Sequence, residues 1–362
     1  MRIGILTKSM DDSPAGIGRY TENLVENLIK TDKKNKYFFI HYQKGGHKFY
    51  DNKNEIIIKR YPWLPKIIND SLAFLFFDKY KLDLVHEVSQ INFLFPTKFK
   101  TIITVHDLYF LISEKNLLKK FLLKILYKTI FQRVDRLITR SELTKKDIIK
   151  ILGIDSSKIW IAKGGVKSTF RRIRKNKLDW LKSSYILFVG TLEPRKNLER
   201  LIKAFYKLKT KSDCKYKLVI AGKEGWDYQE IFNIITKLKF EKEIIFTGYV
   251  SSDKELIYLY NHASLFVFPS LYEGLGLPPL EAMACGCPVI TSNLSSLPEM
   301  CGKAAYYIDP YNINQLSKAM EKVLKNKILR KTMISRGLQQ VKKFTWKRCA
   351  KETLNVYNAI MS

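Results

Sequence analysis

Long apolar runs are missing from this 362-residue chain. None approaches the ~18 residues a membrane-spanning helix needs, so no span is expected. The opening Met1-Arg2-Ile3-Gly4-Ile5-Leu6-Thr7 turns polar too soon for a secretory signal, which makes the cytosol the expected compartment. Cysteine is scarce and odd in number, at five. Cys285 and Cys287 lie too near Cys301, with too little histidine around them, for a four-ligand zinc site. Reduced, buried or half-buried thiols are expected instead. No Asp-x-Asp occurs, so the simplest carboxylate metal clamp is absent, and neither a metal nor a cofactor is expected. A complete Gly-x-Gly-x-x-Gly dinucleotide fingerprint is lacking too, because Thr21 stands where the third glycine after Gly16 and Gly18 belongs. Repeats and low-complexity segments are likewise absent.

Acidic residues are also few. Against 64 Lys and Arg there are 34 Asp and Glu, a formal net charge of +30. Such an excess suits a nucleic acid, an anionic membrane or an acidic small substrate. It is shared by both halves of the chain, so it is not a basic tail. No zinc finger or aromatic-rich RNA motif accompanies it, and nucleic acid is not the expected partner. Two stretches are purely basic: Lys115–Arg133, with six cations, and Lys163–Lys177, with seven. The second reads as an exposed interdomain linker.

What the chain does have is rhythm. Short β-rich runs alternate with amphipathic stretches. Strands are expected at Arg2–Thr7, Tyr37–Tyr42, Glu55–Lys59, Leu82–His86, Thr101–Val105, Tyr185–Val189, Lys217–Ala221, Ile244–Phe246 and Leu265–Phe268. Helices are expected from Gly16, over Leu117–Ile138, Leu198–Leu208 and Ile231–Leu238, and from Pro279, with Leu137–Thr139 a candidate strand end. Alternation of this kind predicts α/β architecture with parallel sheets. Two such series flank the polar stretch Gly164–Ser183. We therefore expect two Rossmann-like doubly wound domains facing across a cleft, at 1–168 and 169–345, with a helix at 346–362 packing back on the first.

Four motifs stand at strand ends, where open α/β sheets bind ligands. Ser270–Ala284 holds Glu273, Gly274, Leu275, Gly276, Leu277 and Glu281. Its glycines let backbone N–H groups approach a ligand, its prolines suit a first helical turn, and a helix start behind such a loop attracts diphosphate. Glu281, placed in that first turn, has a capping role as its alternative. Gly190–Leu198 offers Arg195 and Lys196 as cations for a diphosphate, and Asn197 as a ligand contact or a helix N-cap. Gly16–Arg19 and Thr104–Leu108, the latter with His106, are weaker taken singly.

Taken together, these motifs resemble the family 4 retaining glycosyltransferases of GT-B fold, from Gly16 to the Phe344-Thr345-Trp346 segment before the last helix. The most specific marks are Glu273-x7-Glu281, Gly286-Cys287-Pro288-Val289-Ile290 and Ser296-Leu297-Pro298-Glu299. The resemblance implies that a nucleotide-sugar donor lies against the second domain and a glycan or lipid-linked acceptor docks on the first. By it, Lys196 holds the diphosphate, Glu281 the ribose hydroxyls, and Glu273 the donor sugar near the reacting carbon. The amides of Leu275–Leu277 face the sugar or phosphate, and His106 and the Gly16–Gly18 loop face the same donor from the other domain. Thr191 replaces the basic residue many members carry there, with Arg195 as its substitute. The forms Gly-Thr-Leu-Glu-Pro-Arg-Lys-Asn and Gly-Ile-Gly-Arg-Tyr look most like mannosyltransferases using GDP-mannose, with UDP- or dTDP-sugar use as the alternative. From a different class, a basic nucleic-acid binder explains the charge but none of the motifs.

Lys120, Lys124 and Lys128 recur every four residues and so form one stripe on their helix. Leu118, Phe121, Leu122, Ile125, Leu126 and Ile130 fill an opposite arc. Two arrangements fit: an ordinary helix packed on its sheet, or an interfacial helix whose lysines meet anionic lipid at the inner face of the cell membrane.

Overall fold

β-Branched and aromatic runs buried on both faces need parallel pairing with helices above and below. The computed structural model describes residues 1–11, 16–43, 49–50, 54–59, 61, 63–64, 68, 72, 74–89, 96–173 and 184–361. The last four residues of the Lys163–Lys177 stretch and the end of the Gly164–Ser183 linker lie outside them. The chain forms two units, Met1–Gly165 with Trp346–Ser362, and Val166–Thr345. The junction thus falls three residues before the expected boundary at 168.

In the first unit the strands are β1 (Arg2–Leu6), β2 (Lys36–His41), β3 (Glu55–Ile57), β4 (Leu84–Glu87), β5 (Lys100–Val105), β6 (Arg136–Thr139) and β7 (Ile159–Ile161). They form one parallel sheet in the order β3-β2-β1-β4-β5-β6-β7. Strand order reverses between β1 and β4, which opens a crevice at their carboxyl ends. The terminal helix Trp346–Met361 belongs here. The ring of Trp346 lies 5.3 Å from that of Tyr20, and the Tyr357 hydroxyl sits 2.7 Å from His86 Nδ1.

The helix expected over Leu117–Ile138 stops at Arg133. Asp135 ends it. Its carboxylate accepts the Thr101 N–H (2.9 Å) and hydroxyl (3.0 Å), which fixes this segment at the start of β5 and lets Arg136–Thr139 run as β6.

The second unit carries β8 (Tyr185–Val189), β9 (Lys217–Ala221), β10 (Ile244–Gly248), β11 (Leu265–Phe268), β12 (Val289–Ser292) and β13 (Tyr306–Ile308). They too pair in parallel, in the order β10-β9-β8-β11-β12-β13. The reversal lies between β8 and β11. Both doubly wound sheets are thus as expected. All five cysteines are free thiols, and all but Cys214 are buried. Burial pushes Cys285, Cys301 and Cys349 up to about 12, so these thiols stay protonated and inert.

Glycine is obligatory where β8 and β9 end. A Cβ on Gly222 would stand 1.8 Å from the Gly190 carbonyl oxygen. Gly190 N–H also bonds Ala221 O at 2.9 Å, so neither backbone is free to retreat. Gly222→Ala is therefore expected to destabilise this unit by about 2 kcal/mol, measured as a lower urea midpoint at unchanged slope. An unchanged midpoint would show that the two strand ends separate easily.

Candidate active site

The β8–β11 crevice gathers the two strongest motifs. After β8 the chain makes a tight turn at Pro194–Lys196 and enters the Leu198–Lys211 helix through Asn197, in left-handed conformation at φ 63°. After β11 it loops through Ser270–Gly276 and starts the Leu277–Ala284 helix, with Pro278 and Pro279 in the first turn. Arg195 O accepts both the Leu271 N–H (2.8 Å) and the Ser270 hydroxyl (3.1 Å), so the two loops are joined. Gly276 sits at φ +83°, with Leu297 Cδ2 2.7 Å from where a Cβ would be; an L side chain is excluded there on both counts.

Glu273 is the centre of this site and is 7% exposed. Its Oε1 accepts from Lys196 Nζ at 2.5 Å and from the Ser270 hydroxyl at 2.7 Å. Its Oε2 lies 3.6 Å from Arg195 Nη1. The backbone is fixed as well. Ser295 Oγ accepts the Glu273 N–H and donates to Glu273 O, each at 2.7 Å, and the Ser296 hydroxyl donates to the same carbonyl at 2.8 Å. Burial alone would raise the Glu273 carboxyl. The charges of Lys196 and then Arg195 outweigh it and hold the group below its ordinary value. Glu273 is therefore ionised near neutrality and is not a proton donor.

Lys196 is buried, with Nζ 5.2 Å from the Phe268 ring centroid. Arg195 is more tightly bound elsewhere: Nε and Nη2 both reach Glu193 Oε1, at 2.8 and 2.7 Å. Two cations thus face two carboxylates, and an incoming anion must compete with Glu273 for Lys196.

Two readings of these loops change. Glu281 is not in the first helical turn, because the helix begins at Leu277 rather than Pro279. Its Oε2 accepts the Tyr260 hydroxyl at 3.0 Å, so a dipole-capping role gives way to a positioned acceptor. Asn197 occupies the N-cap position without a side-chain cap bond. Its amide instead donates to Pro269 O (3.0 Å) and Pro310 O (2.8 Å), tying its helix to the loops after β11 and β13.

The first unit holds the remaining candidates. Gly16 opens the Gly16–Thr31 helix, and a Cβ there meets nothing within 4 Å. Gly18, two residues further on, is buried. His106 follows β5 and is buried, its Nε2 2.6 Å from Val88 O. A carbonyl only accepts, so Nε2 carries the proton. Burial first, and the Arg140 charge second, hold His106 well below its ordinary value. It is a neutral imidazole whose Nδ1 has no hydrogen-bond partner among the described residues. At the β1–β4 reversal lies a feature without a motif: Lys8 Nζ pairs with Glu87 Oε2 at 3.1 Å, both buried. At the end of β2, His41 stands between Asp11 (3.4 Å) and Glu55 (3.1 Å). The only sequence signal was a charged residue directly after an apolar strand.

Among the described residues, no group of three or more His, Cys, Asp or Glu side chains is placed to hold a metal ion. Residues 14–170 match the family described as Glycosyltransferase Family 4, and residues 170–340 the family Glycosyl transferases group 1. O-antigen chain mannosyltransferase B of Escherichia coli is 32% identical over 283 residues, which cover 74% of this chain and 73% of that protein. Serotype-specific mannosyltransferase WbdA of Escherichia coli is 32% identical over 69% of this chain, and the chain spans 32% of its length. Among solved structures, Anabaena HepE in complex with UDP and glucose has a TM-score of 0.79 at 15% identity, over 99% of this chain and 100% of that one. Two doubly wound units, an acid–base cluster at a sheet reversal and relatives of this kind lead to one assignment: the chain is a glycosyltransferase of family 4, with the GT-B pair of Rossmann-like domains.

Proposed function

We propose that this enzyme transfers mannose from GDP-mannose, with retention of configuration and without a metal, to a glycan or lipid-linked glycan of a surface polysaccharide. The observation that carries the proposal is the Arg195–Lys196–Glu273 cluster at the β8–β11 reversal. Breaking a sugar–diphosphate bond develops negative charge on the leaving oxygen and positive charge on the ring. Lys196, Arg195 and the helix start at Leu277 would stabilise the first, and the ionised Glu273 the second. Same-face attack, with the leaving phosphate taking the acceptor proton, needs no covalent nucleophile. The choice of mannose follows the similarity to O-antigen chain mannosyltransferase B. HepE, bound to UDP and glucose, keeps UDP-sugars as the alternative donor. No helix among the described residues is long and apolar enough to cross a membrane, so attachment to the inner membrane face would be peripheral and driven by the +30 charge.

Thermal stabilisation by GDP-, UDP- and dTDP-sugars tests the donor. A ligand at 100 times its Kd adds about 2.7 kcal/mol, enough to shift the melting temperature by several degrees. GDP-mannose is expected to give the largest shift. Glu281→Ala should weaken that binding by about tenfold, because a charge-accepted hydrogen bond to ribose is lost. Stabilisation by UDP-sugars alone would replace GDP-mannose as donor, and an unaltered Kd in Glu281→Ala would remove Glu281 from the ribose site.

A further inference from the structure

The Leu117–Arg133 helix presents its apolar residues to solvent. Leu117, Leu118, Phe121, Leu122 and Ile125 are 81, 69, 59, 57 and 48% exposed. The arc expected to pack on the sheet is therefore largely outside. The core is met by Tyr127, Ile130 and Phe131, with Leu123 and Leu126 packed against it. The helix has apolar residues on nearly every side, and Tyr127 and Phe131, one turn apart, take the inner one. At ~100° per residue, Leu118, Phe121 and Ile125 fall within about 60° of one another, at the middle of the outer face. Lys124 and Lys128 line one flank and Lys119 and Arg133 the other, whereas Lys120 falls on the inner side between Tyr127 and Phe131, its Nζ donating to Ile112 O at 3.4 Å. Among these, Lys119 is paired with Glu114 at 2.7 Å.

We propose that the first three turns of this helix insert into an anionic lipid bilayer, lying in its plane. Leu118, Phe121, Leu122 and Ile125 would sit below the phosphates, and the flanking lysines would reach back to them. This rests on the peripheral attachment proposed above and deepens it: contact is made by apolar side chains entering the bilayer, not by surface charge alone. Charge complementarity selects the occupant. A bilayer offers an apolar interior under a plane of negative charge, which matches an apolar ridge between cationic flanks. A second copy of the chain would bring the same six cations of Lys115–Arg133, with no acid among them, against their like.

The test uses the full chain and vesicles of mixed phosphatidylglycerol and phosphatidylethanolamine. The parent is expected to sediment with them, and part of that binding is expected to persist at 1 M salt, where the Debye length is about 3 Å. Phe121→Ser combined with Leu122→Ser should lower the partition constant by about 30-fold and abolish the salt-resistant part. Both side chains are exposed, so the fold should survive, checked by unchanged thermal stabilisation by nucleotide. Equal sedimentation of parent and double variant, with all binding lost at high salt, would overturn insertion and leave charge-driven attachment standing. Failure of the parent to sediment would remove both. Concentration-dependent self-association that the double variant abolishes, without any change in vesicle binding, would assign the face to a second copy and overturn the proposal.

Discussion

Replacing Glu273 by Gln is expected to lower kcat by about 10³-fold, the upper range for losing one preorganised electrostatic contact, while nucleotide diphosphate binds at least as tightly as before. The two effects share one cause. Glu273 is the carboxylate proposed to stabilise positive charge near the reacting carbon. It also holds Lys196 at 2.5 Å. A neutral amide of the same shape removes the charge from the transition state and releases the lysine to the diphosphate. The unliganded variant should be less stable than the parent, because Lys196 remains buried opposite a neutral group. Nucleotide should then raise its melting temperature by more than it raises the parent's. The pH dependence has a defined sign. The folded-state value lies below the ordinary 4.5, so the parent's contribution from Glu273 is full above that value and is lost as pH falls through the depressed one. The Gln variant should lose this acid-sensitive component. Full turnover in the Gln variant would rule out Glu273 as the charge at the reacting carbon.

The Gly190–Leu198 and Ser270–Ala284 motifs were legible because each joins two independent signals: a buried β-rich run that must end at a sheet edge, and a glycine or proline that only a turn or helix start accommodates. Gly190 and Gly276 are of this kind. What the sequence did not disclose depends on spatial neighbours. Lys8 and Glu87 form a buried ion pair at the β1–β4 reversal only because β1 and β4 lie side by side, though the two residues are far apart in the chain. Ser295 became part of the site through its bonds to the Glu273 backbone, 22 positions away. The Leu117–Arg133 helix misled for a different reason. With leucine, isoleucine or phenylalanine at most positions, periodicity cannot say which side faces the sheet, and aromatic packing by Tyr127 and Phe131 decided it. Helix starts shifted for local reasons, and the shift from Pro279 to Leu277 was enough to move Glu281 out of the first turn and change its role.

Lys196→Ala is expected to reduce kcat by 10² to 10³-fold, on the scale of removing one oriented charge from a site shielded from water, whereas chelation by EDTA should leave the parent's turnover unchanged. Lys196 is the stronger of the two cations on geometric grounds. Its ammonium is buried against Phe268, where the low dielectric enlarges its field, and Glu273, its close charged partner among the described residues, can be displaced by a diphosphate. Arg195 is held by two bonds to Glu193 and has less charge to offer, so it cannot replace the lysine. Arg195→Ala should therefore cost less than Lys196→Ala. Lys196→Arg should recover only part of the loss, because a planar guanidinium does not fit the point-charge position over the ring. Steady-state kinetics with EDTA-treated enzyme separates this scheme from a metal-assisted one. If chelation abolishes transfer and magnesium restores it, the leaving diphosphate is stabilised by the ion, and Lys196 is left with a role in donor binding alone.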